Sequence, residues 1–535
     1  MSRNRLAPAT EWTVALVLSL VILFLHVVVM RHAGGLWRDE VNTVEVAAAA
    51  PGQLWSDLGF ESFPVLWVLV LRVAMAAGIQ TDAALRVLGL LVGLGVLAAF
   101  WWSARRLSGT VPLVSLLLFG LSPVGLRYGD SVRAYGLGII LVLVASGLMW
   151  RVARGPAPRA VALALAAAVA SVQCLYQNAF LLAGLCAGAI AVAARHRRWR
   201  HALLPVGIGA VAAVSLLPYR ELYRKAQLAI DTSYFPVSVG HIAQTVTATL
   251  ATPSPLMLWL WLGFLAVGGG LAAWRIRHLA PAAGDDREDL ACFALTAMLV
   301  AIPLQGIFLK LSGFSINPWH YVVLLAFTAA CLDAILAVTL RHPSARLALA
   351  LLVLLAGAFL TPDIGRHLRV RHTSVDLIAA QLSRVAAAGD LIVVGQWGTG
   401  ITFRHYYHGA AVWTTLPPMD NVRVHRHDLL KQAMYEADPI RPVLVRLADT
   451  LRADRRVWLV LERPILDRRG EPPPPPRVPH PVWRWNSGLH IQIWAQQVWY
   501  YVLTRATDIQ QIGVPTEDPV SPFEDMVLVR AAGFR

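Results

Sequence analysis

Two adjacent carboxylates, Asp39 and Glu40, follow the first apolar run of the chain, in the sequence Leu36-Trp37-Arg38-Asp39-Glu40. A carboxylate held at the boundary between membrane and water can take a proton from the hydroxyl of an acceptor, which is what a general base does. The alternative is structural: Asp39 would cap the following helix, and Glu40 would complement the helix dipole. The spacing alone does not decide between these interpretations.

Segment 127–135 combines cationic, acidic and phenolic side chains between two apolar runs. Arg133 and Tyr135 fall at the start of the second run, where an unpaired guanidinium is costly and usually functional. Arginine also suits a phosphate, because its planar fork donates two parallel hydrogen bonds. Asp130 could pair with Arg133 at helical spacing, or that pair could simply carry Arg133 to the surface. Tyr128 is a further candidate for substrate contact.

Two more segments carry candidate substrate-binding residues. Arg220 and Arg224 share a face at helical spacing and suit an anionic headgroup, although a charged face in solvent explains them equally well. His320 lies at the boundary of a late apolar run, where a histidine is more often an interfacial residue than a catalyst. No metal ligand and no certain cofactor is predicted, but Asp39 and Asp130 could share a divalent metal or work without one.

The elements that must position these residues are membrane helices. Of 535 residues, 57% are of the types AVILMFWYC and 15% are charged, whereas soluble domains have about 45–50% apolar and about 25% charged residues. This composition excludes an ordinary cytosolic protein, a disordered chain, a fibrous repeat and a disulfide-stapled scaffold. The candidate spans are 12–30, 63–78, 85–102, 111–126, 132–150, 160–175, 179–194, 202–217, 256–274, 290–311, 320–340 and 347–362.

The sequence therefore predicts a polytopic α-helical membrane protein of about 11–13 spans over residues 1–362. A soluble α/β domain is predicted over 363–535. The run 63–78 is short and contains Pro64 and Arg72, so it is the candidate for a re-entrant or interfacial helix. The four cysteines lie inside apolar stretches and are expected to be small buried residues.

The distribution of arginine predicts the orientation. The net charge of +15 would suggest nucleic acid in a soluble protein, but here the basic residues lie between apolar runs. The predicted cytoplasmic segments hold sixteen arginines, against six basic residues in the intervening segments. This bias predicts that 31–62, 127–131, 218–255 and everything after 362 lie on the outer side. The cytoplasmic segments are 1–11, 103–110, 151–159, 195–201, 275–289 and 341–346.

Local patterns predict the elements of the outer regions. In loop 31–62, helices are expected over 41–50 and 53–59, lying along the membrane surface and holding the acidic residues at a fixed depth. The C-terminal region alternates helix-like and strand-like stretches, with the five prolines 472–476 as an extended connector. The predicted helices there are 375–388, 429–437 and 443–453, and the predicted strands are 390–395, 457–462 and 526–530.

These features resemble the glycosyltransferase C superfamily, and within it glycosyltransferase family 39, the branch of protein O-mannosyltransferases and the aminoarabinose transferase of lipid A. Asp39-Glu40 matches the family's acidic outer loop, which also carries helices along the membrane. Tyr128, Arg133 and Tyr135 reproduce a Tyr-x-x-x-x-Arg-x-Tyr pattern of many bacterial members, and Asp130 resembles a second acidic position. The chain departs from many relatives in having Ser62-Phe63-Pro64 in place of a histidine and two prolines, and His320-Tyr321 in place of Arg-Tyr.

The resemblance implies an enzyme of the bacterial inner membrane that transfers a hexosyl or pentosyl group, with inversion, from a polyprenyl-phosphate donor. The acceptor would be an extracytoplasmic protein, lipid or glycan, and nucleic acid would not be a partner. Asp39, assisted by Glu40, would be the base, while Arg133 with Arg220 or Arg224 would stabilise the leaving phosphate. Two alternatives stay open: a transporter or flippase of lipid-linked sugars that cleaves no bond, and a non-catalytic assembly or receptor protein.

Overall fold

The computed structural model of the chain describes residues 3–229, 237–278, 286–313, 316–478 and 486–535. Parts of the predicted outer loop 218–255 and of the predicted cytoplasmic segment 275–289 lie outside these described residues. The N-terminal helices are α1 (Arg3–His32), α2 (Arg38–Ala48), α3 (Pro51–Asp57), α4 (Val65–Ala76), α5 (Asp82–Leu107), α6 (Leu113–Ser115), α7 (Pro123–Gly129), α8 (Tyr135–Arg154), α9 (Pro158–Cys174), α10 (Asn178–Arg195), α11 (Trp199–Val214), α12 (Arg220–Ala229), α13 (Val239–Leu250), α14 (Pro255–His278), α15 (Asp286–Ser312), α16 (Val322–Thr339) and α17 (Pro343–Leu368).

The prediction of a polytopic helical membrane protein is confirmed. Within the described part of the chain, nine helical stretches are long and apolar enough to cross a membrane, and α4 and α9 are shorter apolar helices. Helix α17 runs through Pro362, so the boundary predicted between 362 and 363 falls inside this helix. The nine stretches are Ala7–His32, Asp82–Leu107, Tyr135–Arg154, Asn178–Arg195, Trp199–Ala226, Pro255–His278, Asp286–Ser312, Val322–Thr339 and Pro343–Leu368.

Two predicted spans differ from a regular membrane helix. Helix α4 has twelve residues, which rise about 18 Å at 1.5 Å per residue and fall short of a hydrocarbon core of about 30 Å. Its Arg72 donates to the carbonyls of Ala47 and Ala49 at the end of α2, so α4 supports the acidic loop. The run 111–126 is divided into α6, a π-helical turn and the start of α7. Pro123 stands at the first position of α7, where it has no N–H to continue the preceding helix.

Small residues let two of the membrane helices, α10 and α15, approach closely. Gly184 and Gly188 of α10 form a Gly-x-x-x-Gly pattern that faces α15. A Cβ at either glycine would lie 2.5 Å from a backbone carbonyl oxygen of α15, that of Ala297 or Phe293. Only glycine permits this approach, which is the way small residues bring membrane helices together.

The C-terminal region is a small α/β unit with a five-stranded sheet in the order β2-β1-β3-β5-β4. Strand β1 is parallel to β2 and to β3, whereas β5 is antiparallel to β3 and β4. The elements are α18 (Val375–Val385), β1 (Leu391–Val394), α19 (Thr399–Tyr406), β2 (Val412–Thr415), α20 (His427–Ala433), α21 (Arg441–Arg452), β3 (Val457–Glu462), α22 (Arg463–Leu466), α23 (Gly488–Arg505), β4 (Ala506–Ile512) and β5 (Met526–Phe534).

Apolar residues bury both faces of the central strands β1 and β3. Ile392 and Val394 of β1 belong to a cluster with the apolar face of α18, while Leu391 and Val393 belong to the main core with α21. Such two-sided burial is typical of parallel strands between helix layers. The predicted elements at 375–388, 390–395, 443–453, 457–462 and 526–530 are confirmed to within a few residues, while β2, α19, α23 and β4 were not predicted.

The C-terminal region contacts the acidic loop 31–62 through ion pairs and hydrogen bonds. Arg423 binds the carboxylate of Asp57 and donates to the carbonyl of Glu45, whose carboxylate lies 3.0 Å from Arg404. Arg38 donates to Gln396 at 2.8 Å. These contacts join the two parts of the chain directly over the segment that holds Asp39.

Candidate functional site

A cavity of about 880 Å³ lies between the acidic loop, the membrane helices and the C-terminal region. Its floor and apolar wall come from the loop around Phe60, the start of α8 and helices α12 and α15. Its opposite, polar wall comes from the C-terminal residues His425, His427, Asp428, Lys431, Gln432 and Tyr435. The cavity is therefore lined both by apolar side chains and by groups that can form hydrogen bonds.

Asp39 lies in the first turn of α2 and lines this cavity. Its side chain is 21% exposed, and Oδ1 lies 3.4 Å from Nε2 of His425 and 3.7 Å from Nε of Arg38. Burial alone would raise the pKa of Asp39, but the hydrogen bond from His425 and the charges of Arg133 and Arg38 hold it well below its usual range. Asp39 is therefore an ionised acceptor at the cavity wall. It does not cap α2, because the cap position belongs to Trp37.

Glu40 is fully buried on another face of the same helix. Its Oε1 lies 2.7 Å from Nη1 of Arg86 and accepts the backbone N–H of Val132 at 2.9 Å. Burial would raise the pKa of Glu40, but the Arg86 charge and the contact with His372 hold it well below its usual range. Glu40 does not line the cavity. Glu40 forms a buried ion pair that joins α2, α5 and the turn before α8, and its predicted part in catalysis stays a prediction.

Arg133 lies beneath Asp39 and lines the cavity with Tyr135. Its Nη1 donates to the carbonyl of Asp39 at 2.9 Å and to Oε2 of Glu61 at 2.9 Å. Its Nη2 donates to Ser62 at 3.0 Å, and the guanidinium lies 4.8 Å from the centre of the Phe63 ring. Both ends of the fork are therefore engaged by the acidic loop. Arg133 holds that loop in place as well as bringing positive charge to the cavity.

Asp130 lies apart from the cavity and does not pair with Arg133. It accepts from Nδ1 of His26 on α1 at 2.8 Å and is almost fully buried. Gly89 and Gly93 of α5 make room for it, because a Cβ at Gly93 would lie 1.9 Å from Oδ1 of Asp130. The predicted pairing at helical spacing fails because the backbone bends between α7 and α8. Asp130 is not among the residues that line the cavity, whereas Asp39 is.

Tyr128 supports the cavity wall from behind. Its ring packs against Trp319 at 5.4 Å and against Tyr135 at 6.2 Å between ring centres. Trp319 and Tyr135 line the cavity, whereas Tyr128 does not. His320 also lines it, as the sequence suggested, and its Nδ1 accepts the backbone N–H of Asn317 at 3.0 Å.

Helix α12 presents a different cation from the two that the sequence suggested. Arg220 and Arg224 are exposed outside the cavity, and Arg224 pairs with Glu221 at 3.0 Å on the solvent face. Lys225 lines the cavity instead, together with Leu222. Helical spacing identified the shared face of the two arginines, but it could not tell which face of α12 points inward. The apolar residues Leu222 and Ala226 of the same helix indicate which face points inward.

Sequence reasoning missed the residues that the C-terminal region and Glu61 bring to the site. Glu61 accepts from Asn42 and Thr43, both at 2.7 Å, and pairs with Arg133. No local motif marks His425 or Lys431, because their approach to the cavity depends on how the C-terminal region docks. Among the residues that the structure describes, no group of three or more His, Cys, Asp or Glu could hold a metal ion.

No protein-family model matches the chain, and no curated protein matches it. Solved structures match its fold over almost the whole length. Crystal structures of ArnT, an aminoarabinose transferase from Cupriavidus metallidurans, superpose with a TM-score of 0.52 bound to undecaprenyl phosphate and 0.51 in the apo state. The identities are 13% and 12%, and each pair covers 98% of both chains.

A structure of the Archaeoglobus fulgidus oligosaccharyltransferase matches 84% of this chain and 68% of that one, at 12% identity and a TM-score of 0.48. The fold is the glycosyltransferase C fold, as the resemblance predicted. With its apolar helices, the chain is a multi-pass membrane protein of this architecture, similar along its length to ArnT.

Proposed function

We propose that the chain is a membrane glycosyltransferase that moves a sugar from a polyprenyl-phosphate donor to an acceptor hydroxyl outside the cytoplasm. The observation that carries this proposal is the ionised, partly exposed carboxylate of Asp39 at the wall of a cavity of about 880 Å³. A transferase needs a proton acceptor beside the reacting hydroxyl, and a carboxylate at the cavity wall can fill that role. The fold shared with a protein crystallised with undecaprenyl phosphate supports a lipid-linked donor.

The donor fits the membrane side of the cavity. Leu175, Phe308 and Leu309 form an apolar wall there that suits an isoprenyl chain, since burial of apolar area is the main favourable term for a lipid tail. Lys225 also lines the cavity and would neutralise the phosphate as the bond to the sugar breaks. In this proposal Lys225 takes the role that the sequence gave to Arg220 and Arg224, while Arg133 adds charge and holds the loop of the base.

The acceptor fits the polar wall formed by the C-terminal region. Its hydroxyl attacks the anomeric carbon on the face opposite the departing phosphate, so the configuration inverts. The new bond joins the acceptor oxygen to the sugar, the bond from the anomeric carbon to phosphate oxygen breaks, and polyprenyl phosphate leaves. Asp39 takes the hydroxyl proton in this step.

Purified protein incubated with radiolabelled polyprenyl-phosphate sugars tests the function. We expect labelled sugar to be released or transferred, with polyprenyl phosphate as the second product. Reconstituted vesicles with labelled donor on one side separate the competing class. Movement of intact donor across the bilayer without cleavage would contradict the transferase and support a flippase, whereas absence of both activities for every donor tried would favour an assembly protein.

We also infer an inner-membrane location with the C-terminal region on the outer side, from the arginine bias between predicted loops. The four native cysteines are buried, and Val445 on the C-terminal region is 51% exposed. Intact bacterial spheroplasts carrying Val445→Cys should react with a membrane-impermeant maleimide. Labelling that requires lysis would place this region in the cytoplasm and contradict the orientation.

A further inference from the structure

His425, in the segment between β2 and α20, reaches across to the helix that carries Asp39. Its ring Nε2 lies 3.4 Å from Oδ1 of Asp39. Its backbone N–H donates to Oδ1 of Asn42 at 2.8 Å, almost one turn further along α2. Because ring and backbone both bind the same helix, the position of His425 relative to Asp39 is fixed at two points.

Aromatic contacts restrict the imidazole further. The rings of His425 and His427 are stacked, with centres 5.6 Å apart and planes at 13°. Trp397, which follows β1, makes edge contacts with both rings at 6.0 Å and 4.9 Å. The His425 side chain is 13% exposed. These neighbours leave the ring little room to turn away from Asp39.

The same segment is connected to the polar network beneath the cavity. Asn42 accepts from His425 and donates to Glu61 at 2.7 Å, and Glu61 in turn lies 2.9 Å from Arg133. Arg133 donates to the carbonyl of Asp39. His425 therefore closes a ring of contacts around the carboxylate, with one member from the C-terminal region.

Several charged or titratable groups face Asp39. Arg38 comes from its own helix, and the others come from α7, from the segment before and at the start of α8, from the turn before α16, and from the C-terminal region. The contact with His425 lowers the pKa of Asp39 together with the charges of Arg133 and Arg38. The groups that act on Asp39 or respond to its charge are Arg38, Tyr128, Arg133, Tyr135, His320 and His425.

We propose that His425 is a positioning residue for the base: its Nε2–H donates to Asp39 and holds the carboxylate toward the acceptor hydroxyl, so that the C-terminal region completes the catalytic centre. This inference rests on the proposed function, because it assumes that Asp39 accepts the proton. It assigns to the C-terminal region a direct part in the reaction, beyond covering the cavity.

Two complementary substitutions in the full-length protein separate the hydrogen bond from the ring packing. His425→Phe keeps an aromatic ring beside Trp397 but removes the donor, whereas His425→Gln keeps an N–H donor and removes the ring. With a labelled polyprenyl-phosphate sugar, we expect His425→Phe to lower kcat about 10- to 100-fold, the loss of one hydrogen bond to a charged group. The donor KM should stay within about twofold, since the interaction does not touch the donor.

His425→Gln should keep kcat within about fivefold of the unaltered protein, because the amide still donates to the carboxylate. In His425→Phe the acid limb of kcat/KM should also move to higher pH, since Asp39 loses a hydrogen bond that favours its ionised form. The matched control is His408→Leu, which removes an exposed histidine of the same region and should leave the kinetics unchanged. Thermal unfolding of each variant reports on folding.

Wild-type kcat in a folded His425→Phe protein would overturn the inference, as would a loss in His425→Gln equal to that in His425→Phe. If one of the two variants does not fold, the kcat of the other still decides the role of the donor. The proposed function has a separate test in Asp39→Asn. Full activity of that variant would show that Asp39 is not the base. An inactive Asp39→Asn with a fully active His425→Phe would contradict only the role of His425.

Discussion

The two sides of helix α2 differ sharply, although their acidic residues are adjacent in sequence. On the cavity side, Asp39 is partly exposed and faces a space large enough for a substrate. On the buried side, Glu40 is inaccessible and engaged by Arg86 and the backbone of Val132. Successive residues of a helix point about 100° apart, so a carboxylate pair in the sequence is not a pair in space. Asp39 borders the cavity, whereas Glu40 binds α2 to its neighbours.

The largest expected effect is a loss of folding stability when Glu40, on the buried side of α2, is replaced. Glu40→Gln leaves the charge of Arg86 buried without its carboxylate, and breaking such a pair costs about 3–5 kcal/mol. We expect a lower unfolding temperature in detergent. The double variant Glu40→Gln/Arg86→Met should recover part of the loss, because it removes the uncompensated charge. Unchanged stability of the single variant, with activity abolished, would instead assign Glu40 to catalysis.

Glu524 gives a pH-dependent test on the same buried side, since it accepts the backbone N–H of Arg38 at the start of α2, 3.2 Å away. Burial raises the pKa of Glu524 to about 7, from an ordinary value of 4.5. A raised pKa means that its contribution to stability is present below pH 4.5 and is lost as the pH rises through 7.

Glu524→Gln does not titrate, so its unfolding free energy relative to the unaltered protein should increase between pH 5 and pH 8, by at most about 3 kcal/mol. Thermal unfolding of both proteins across this range measures the difference. The sign of the change is the critical result: a relative stability that stays constant or falls with pH would contradict a carboxyl group that is protonated in the fold.

Arg133 tests whether the contacts that hold the acidic loop matter on the cavity side of α2. Lysine keeps the charge but has no planar fork, so Arg133→Lys cannot reproduce the contacts to Asp39, Glu61 and Ser62. We expect kcat to fall about 10- to 100-fold through misplacement of the acidic loop. Kinetics with labelled donor provide the measurement, and activity close to wild type would show that charge alone suffices at this position.

The smallest predicted effect concerns the donor phosphate. Lys225→Gln should raise the donor KM about 10-fold, the effect of losing one charge contact. Arg224→Gln on the same helix is the matched control and should change KM less than about twofold, because an exposed surface pair contributes little. Equal effects of the two substitutions would mean that α12 acts only through its general charge.

Sequence patterns predicted the helices and strands that depend on the local order of apolar and polar residues. Apolar run lengths predicted most of the membrane helices, and alternation and amphipathic spacing predicted β1, β3, α18 and α21. The backbone bend before α8 was not encoded in any spacing, so the partner of Asp130 is His26 and not Arg133. The inward face of α12 and the approach of His425 depend on tertiary docking, which no local pattern reports. The position of Asp39 at the cavity wall fits the acidic-loop prediction, and its role as base stays a prediction.

In the proposed reaction Asp39 accepts the proton of the acceptor hydroxyl, and the transfer rate of Asp39→Asn is the sharpest test of this role. The amide is nearly isosteric but cannot take the proton, and loss of a general base lowers rates about 10²- to 10⁴-fold. We expect such a loss in a protein that inserts into membranes and unfolds at the wild-type temperature. Transfer by a folded Asp39→Asn protein at a rate within a few-fold of wild type would contradict it.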